Sequence, residues 1–147
     1  MAEILIEIDG SSRANPGPAG IGVIVVGPDG SILKQISRAI GENTNNQAEY
    51  AALICGLTEA SSFPRDTVTV QTDSELLYRQ MTGKYRVKNQ LLKPLWSQAH
   101  RLLRSLPNVR LKHVTRQHNR RADKLAQSAS AGAKERTAAG QLELDLR

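Results

Sequence analysis

Ile4, Ile6 and Ile8 alternate with Glu3, Leu5, Glu7 and Asp9, the period of a strand with one apolar face. Gly20–Gly27 (GIGVIVVG) is a continuous apolar run, which predicts a strand buried on both faces. Pro28-Asp29-Gly30 reads as a turn, and Ile32, Ile36 and Ile40 then share one face of a third strand. Short turns join these strands into an antiparallel meander. The period changes at Asn45. Ala48, Ala51, Ala52 and Cys55 recur at helical spacing, widened by Leu53 and Leu57, with Thr44 or Asn45 as N-cap and an end near Ser61–Pro64. Thr67–Asp73 is a β-branched, alternating strand. Ser74–Gly83 is a short helix that Gly83 stops. Asn89–Pro107 is a longer helix with Leu92, Leu95, Trp96, Ala99, Leu102, Leu103 and Leu106 on its core side, and Pro94 falls early enough to be tolerated. Val109–Thr115 is a fifth strand, and Asn119 caps a final helix. The order β-β-β-α-β-α-α-β-α predicts an α/β domain. Strands four and five follow helices, so both should run parallel to strand one. From about Ser128 the chain is rich in Ala, Ser and Gly and is expected to loosen, which places a domain at 1–131 and a flexible tail at 132–147.

A chain of 147 residues fits one domain that buries a core without staples. Cys55 is the only cysteine, which excludes an internal disulfide and a cysteine-based zinc site. The start lacks a basic segment followed by a long apolar one, and no run approaches a membrane span. A cytoplasmic monomer without membrane contact is expected. The net charge of +6 is unevenly spread: residues 1–73 hold 4 Lys/Arg and 9 Asp/Glu, whereas residues 74–147 hold 16 and 5. No acid falls between Glu75 and Asp123, a stretch with twelve Lys and Arg, so the balance points toward a polyanion partner over a merely solvated basic surface.

Four acids take up the chemistry. Asp9 ends strand one, Glu49 lies in the first turns of the first helix, Asp73 ends strand four, and Asp123 starts the last helix. Singly, each has an ordinary structural role: a turn, a solvated helix residue, a cap, a surface ion pair. With strand four beside strand one, however, they converge. Four carboxylates at one point repel unless cations intervene, and oxygen-only ligands suit hard ions such as Mg²⁺ or Mn²⁺.

The stretches DGSSRANPGPAGIGV (Asp9–Val23), NTNNQAEYAAL (Asn43–Leu53), TDSELL (Thr72–Leu77) and VTRQHNRRADKLA (Val114–Ala126) occur in that order, each on the expected element. Together they resemble the type 1 ribonucleases H from about Ile4 to Ala131. The resemblance implies a five-stranded mixed sheet, three antiparallel strands then two parallel ones, flanked by helices on both faces. It implies that Asp9, Glu49, Asp73 and Asp123 hold two Mg²⁺ ions, with Mn²⁺ as a substitute, and that Asp9 bridges them. The implied reaction is hydrolysis of the RNA strand of an RNA–DNA hybrid to 5′-phosphate and 3′-hydroxyl ends, with metals ~4 Å apart clamping the phosphate. Gly10, Ser11, Asn15, Asn45, Ser74 and Glu75 match positions lining the RNA minor groove, where the 2′-hydroxyl marks RNA. Thr44 and Asn45 match residues that hold a DNA phosphate.

Two features depart from the family pattern. A mobile proton-transfer residue, often histidine, is expected ahead of the last carboxylate; here Arg116 and His118 compete for the place, with Arg116 preferred. His100 and His113 read as structural. The basic protrusion found in some members is shortened to GKYRVKN, where Lys84, Arg86 and Lys88 can bind phosphate and Tyr85 can stack on a base. Near the end, Gln141, Leu142, Leu144 and Leu146 in QLELDL resemble a bacterial sliding-clamp-binding peptide, with an amphipathic tail folded on its own domain as the alternative. A non-catalytic hybrid-binding module and a resolvase-like DNA nuclease of the same fold remain alternative functions. A reverse-transcriptase fragment is a further possibility, but the chain is expected to be self-contained.

Overall fold

The computed structural model describes residues 2–139. Strands β1 (Glu3–Ser12), β2 (Gly17–Val26) and β3 (Ile32–Asn43) are followed by α1 (Asn45–Ala60), β4 (Thr67–Thr72), α2 (Glu75–Met81), α3 (Lys93–Arg104) and β5 (Val109–His113). A short 3₁₀ turn (Arg116–Asn119) leads into α4 (Arg120–Ala139). The strands form one sheet in the order β3-β2-β1-β4-β5. β1–β2 and β2–β3 are antiparallel; β1–β4 and β4–β5 are parallel, as expected for strands reached through helices.

The apolar alternation decides which face each strand presents. Ile4, Ile6 and Ile8, with Val23, Val25, Val68 and Val70, meet Tyr50, Leu53 and Leu57 of α1 in the main core. The opposite face of β2 carries Gly20 and Gly22, and there α4 lies on the sheet through buried Ala122, Ala126 and Ala129. A Cβ on Gly22 would sit 2.2 Å from the carbonyl oxygen of Ala122, and one on Gly20 would sit 2.4 Å from the amide nitrogen of Ser130. Backbone therefore rests on backbone, and this approach fixes the start of α4 and its acid.

Three sequence expectations are corrected. Ile32 does not share the face of Ile36 and Ile40. The pairing with β2 slips at Leu33, between Ile32 and Ile36, and this bulge reverses the alternation, so Ile32 is 42% exposed while Ile36 is buried in the main core and Ile40 packs against it. α3 begins at Lys93, not Asn89. The Asn89 side chain accepts from the Leu91 amide at 2.8 Å and holds a turn there, and Pro94 sits in the first turn of the helix, where its missing N–H costs nothing. The helix α4 does not loosen at Ser128. Its Ala-rich sequence favours helix, Ala129 and Ser130 are buried at β2, and helical backbone passes the proposed boundary at 131 and continues to Ala139. Gln141, Leu142, Leu144 and Leu146 lie outside the described residues.

Candidate active site

Because β1 and β4 are parallel neighbours, Asp9 and Asp73 emerge at the same edge of the sheet. The fold brings Glu49 from the second turn of α1 and Asp123 from the first turn of α4 to that point. One oxygen each of Asp9, Glu49 and Asp73 lie within 4.8 Å of one another. Asp123 lines the same cavity of about 240 Å³ and approaches Asp9 from the α4 side. The cavity is also lined by Gly10, Ser11, Asn45, Ser74, Arg116 and Gln127.

The electrostatics of this point are unfavourable without a cation. Burial drives the Asp9 carboxyl far above the ordinary range, and the charge of Glu49, then the contacts with Asp123 and Asp73, add to it. Burial also lifts Glu49 to about 8, opposed by a hydrogen bond from the Gly10 amide and reinforced by the charge of Asp73. Asp73 is raised by burial and by Asp123, with Arg116 acting in the opposite direction. The donor set is carboxylate oxygen without thiol or imidazole, which fits a hard divalent ion.

The rim is rigid for local reasons. Thr44 caps α1 by accepting from the Gln47 amide at 3.1 Å, and the Gln47 side chain accepts from the Thr44 amide at 2.7 Å. The Asn45 amide donates to the Asn15 side chain at 2.8 Å, and the Asn45 side chain accepts from the Ser12 amide, which ties the β1–β2 hairpin to the helix start. The Gly10 amide donates to Glu49 at 2.7 Å, and a Cβ there would lie 2.2 Å from the Ala48 carbonyl carbon.

Several supporting residues escaped the sequence reading. Glu7, on the same face of β1 as Asp9, is 4% exposed and takes a two-pronged bond from Arg121 at 3.0 and 2.7 Å. Fully buried Asn119 donates to the carbonyl of Ile8 at 2.7 Å, and Gln71 donates to the carbonyl of His118 at 2.8 Å. These bonds pin the entry to α4 onto β1 and β4. Gln127 donates to Asp123 at 3.1 Å. The strand period placed Glu7 beside Asp9, a signal that could have been used; the partners of Gln71, Asn119 and Gln127 left no such trace.

The other sequence candidates are distributed unevenly. Arg116 reaches the cavity, its guanidinium 4.0 Å from Asp123. His118 does not line it; the ring Nδ1 sits 2.8 Å from the Thr115 hydroxyl, because the 3₁₀ turn folds the side chain back on its own start. Asn15 and Thr44 act one step behind the lining. Glu75 turns along α2 to pair with Arg79 at 2.8 Å. Lys84, Arg86 and Lys88 line a separate groove with Leu76 and Tyr85, and Arg79 lies 5.4 Å over the Tyr85 ring. His100 stacks on Trp96 and His113 on Tyr78, both as structural histidines.

A model of the reverse transcriptase-like family matches residues 7–129. A solved ribonuclease H1 from the archaeon Halobacterium salinarum superposes with a TM-score of 0.82 at 38% identity, over 88% of this chain and 98% of that one. The chain belongs to the type 1 ribonuclease H family. The solved N-terminal ribonuclease H domain of Rv2228c from Mycobacterium tuberculosis matches at 41% identity with a TM-score of 0.79, over 87% of this chain and 98% of that one. LC11 ribonuclease H1, isolated from compost and solved with an RNA/DNA hybrid, matches at 41% identity with a TM-score of 0.81, over 88% and 98%. Among curated proteins, the Halobacterium salinarum ribonuclease HI is 41% identical over 82% of this chain, and the bifunctional Rv2228c is 41% identical over 93%. The chain spans 61% of the former and 38% of the latter.

Proposed function

We propose that the protein hydrolyses the RNA strand of RNA–DNA hybrids to 5′-phosphate and 3′-hydroxyl ends. The observation that carries this reading is the convergence of Asp9, Glu49 and Asp73 within 4.8 Å, in a cavity shared with Asp123 on a ribonuclease H sheet. These four residues would hold two Mg²⁺ ions, with Mn²⁺ as a substitute. Bound there, the ions supply Lewis-acid polarisation of the phosphate and a water activated near neutral pH.

The chain's own groups do the remainder. Glu49, held by the Gly10 amide, presents its carboxylate toward the side where Gly10, Ser11 and Asn45 offer polar groups to a 2′-hydroxyl. Ser74 contributes from the opposite rim. Beside Asp123, the Arg116 guanidinium would stabilise charge developing on the phosphate. The start of α1, with Thr44 and Asn45, is a favourable place for a DNA phosphate. Lys84, Arg86, Lys88 and Tyr85 form a second contact for the hybrid. We place the protein in the cytoplasm as a monomer, consistent with its unpaired Cys55. Among the described residues no helix is long and apolar enough to cross a membrane. Residues 141–146 are proposed to bind a sliding clamp, and deletion of 141–147 with unchanged clamp binding would refute that assignment.

The test uses an end-labelled hybrid with Mg²⁺, single-stranded RNA and duplex DNA as controls, and the Asp9→Asn variant. Cleavage confined to the RNA strand of the hybrid and lost in the variant supports the reading. Hybrid binding without cleavage under Mg²⁺ or Mn²⁺ overturns it in favour of a binding module.

A further inference from the structure

We infer that Gln127 is a positioning residue for Asp123, setting how firmly that carboxylate engages a divalent ion; this rests on the function proposed above. Asp9, Glu49 and Asp73 are held by the sheet and by α1. Asp123 is different: it comes from the first turn of α4, on the other face of the sheet from α1, and stands outside the group whose oxygens lie within 4.8 Å. Its oxygens meet three neighbours. Oδ2 accepts from the Gln127 amide at 3.1 Å, Oδ1 lies 4.0 Å from the Arg116 guanidinium, and Asp9 approaches from β1.

These neighbours have different consequences. Arg116 competes with a cation for Asp123, since both are positive. Asp9 repels Asp123 whenever both are ionised. Gln127 is neutral, so it can keep its hydrogen bond while Asp123 binds a cation. It also lies one helical turn beyond Asp123, on the same face and on the cavity wall, and its side chain makes no other hydrogen bond among the described residues. A donor to a ligating carboxylate fixes its orientation and typically governs metal affinity by about 10–100-fold. Gln127 is exposed, so replacing it leaves the core intact.

The Gln127→Met variant removes the donor and keeps the length and helix preference of the side chain. Mn²⁺ binding by calorimetry is measured for wild type, Gln127→Met, Asp123→Asn and the double variant, with metal-free thermal midpoints and hybrid-cleavage kinetics alongside. The expected result is about tenfold weaker Mn²⁺ binding in Gln127→Met, an unchanged midpoint, and no further loss when Gln127→Met is added to Asp123→Asn. Wild-type Mn²⁺ affinity in Gln127→Met overturns the inference, as does an equal loss in the Asp123→Asn background. A raised KM for hybrid with unchanged Mn²⁺ affinity overturns it too, by making Gln127 a substrate contact. Failure of the wild type to cleave hybrids would refute the proposed function, while the calorimetric comparison would still decide the role of Gln127.

Discussion

Gly22→Ala should damage the site from the far side of the sheet. The new methyl would lie 2.2 Å from the Ala122 carbonyl oxygen, 2.8 Å from the Ala126 amide nitrogen and 2.8 Å from the Leu125 Cβ. Ordinary carbon contacts need roughly 3.5 Å, so α4 must retreat by about 1 Å. The first two obstacles are backbone, and no rotamer change relieves them. Overpacking of this kind costs about 1–3 kcal/mol, or roughly 3–10 °C in the thermal midpoint of a domain this size. Ala122 immediately precedes Asp123, so the retreat carries the carboxylate away from Asp9. A 1 Å misplacement of a reacting group costs about 100-fold in rate. The assay is kcat on an RNA–DNA hybrid at a temperature where the variant stays folded, with thermal midpoints alongside. Gly132→Ala is the control: it lies on the same helix, a methyl there meets nothing within 4 Å, and it should keep wild-type kcat and gain slightly in stability. Wild-type midpoint and kcat in Gly22→Ala would refute the argument. So would a rate loss that merely follows the unfolded fraction.

Arg121→Met leaves Glu7 buried without its cation and should cost about 2–3 kcal/mol in urea denaturation, reduced from the value for a fully buried pair because Arg121 is 46% exposed. Adding Glu7→Leu should restore most of it. Glu49 titrates near 8 in the fold against about 4.5 ordinarily, so its contribution is fully present below pH 4.5 and is lost as pH rises through 8; Asp9 and Asp73 act in the same direction. Metal-free thermal midpoints should therefore fall across that window, and Mg²⁺ should recover more stability at pH 8 than at pH 5. For the same reason Asp9→Asn should raise the metal-free midpoint at pH 8 while abolishing cleavage. Replacing Lys84, Arg86 and Lys88 together by Ala should raise KM for hybrids and flatten its salt dependence by about two to three phosphate contacts, read from KM against ionic strength.

Local patterns made most of the architecture legible. The Ile4-Ile6-Ile8 alternation, the run at Gly20–Gly27 and the capped start at Thr44 each report a period or cap that the backbone obeys. The four acids could be joined in advance because the parallel pairing of β1 and β4 follows from the connecting helix and aligns Asp9 with Asp73, and Glu49 and Asp123 lie near the starts of the flanking helices. The bulge at Leu33 depends on how β3 fits β2, whereas the one at Ile40 is followed by Gly41 at φ 76°, a glycine signal the strand pattern alone did not use. Ala129 and Ser130 resemble linker in composition and are buried because Gly20 lets them approach. His118 and Arg116 sit two residues apart, and only the 3₁₀ turn decides which enters the cavity. The bonds from Gln71, Asn119, Arg121 and Gln127 join residues whose polarity is visible but whose partners depend on the completed fold.

The most direct measurement is strand-resolved cleavage of one end-labelled duplex sequence prepared as RNA–DNA hybrid, RNA–RNA and DNA–DNA, with and without Mg²⁺. The four-carboxylate account requires cutting of the RNA strand in the hybrid alone, only when Mg²⁺ is present, with 3′-hydroxyl ends. Equal cutting in EDTA, or cutting of the DNA strand or of either homoduplex, would contradict it.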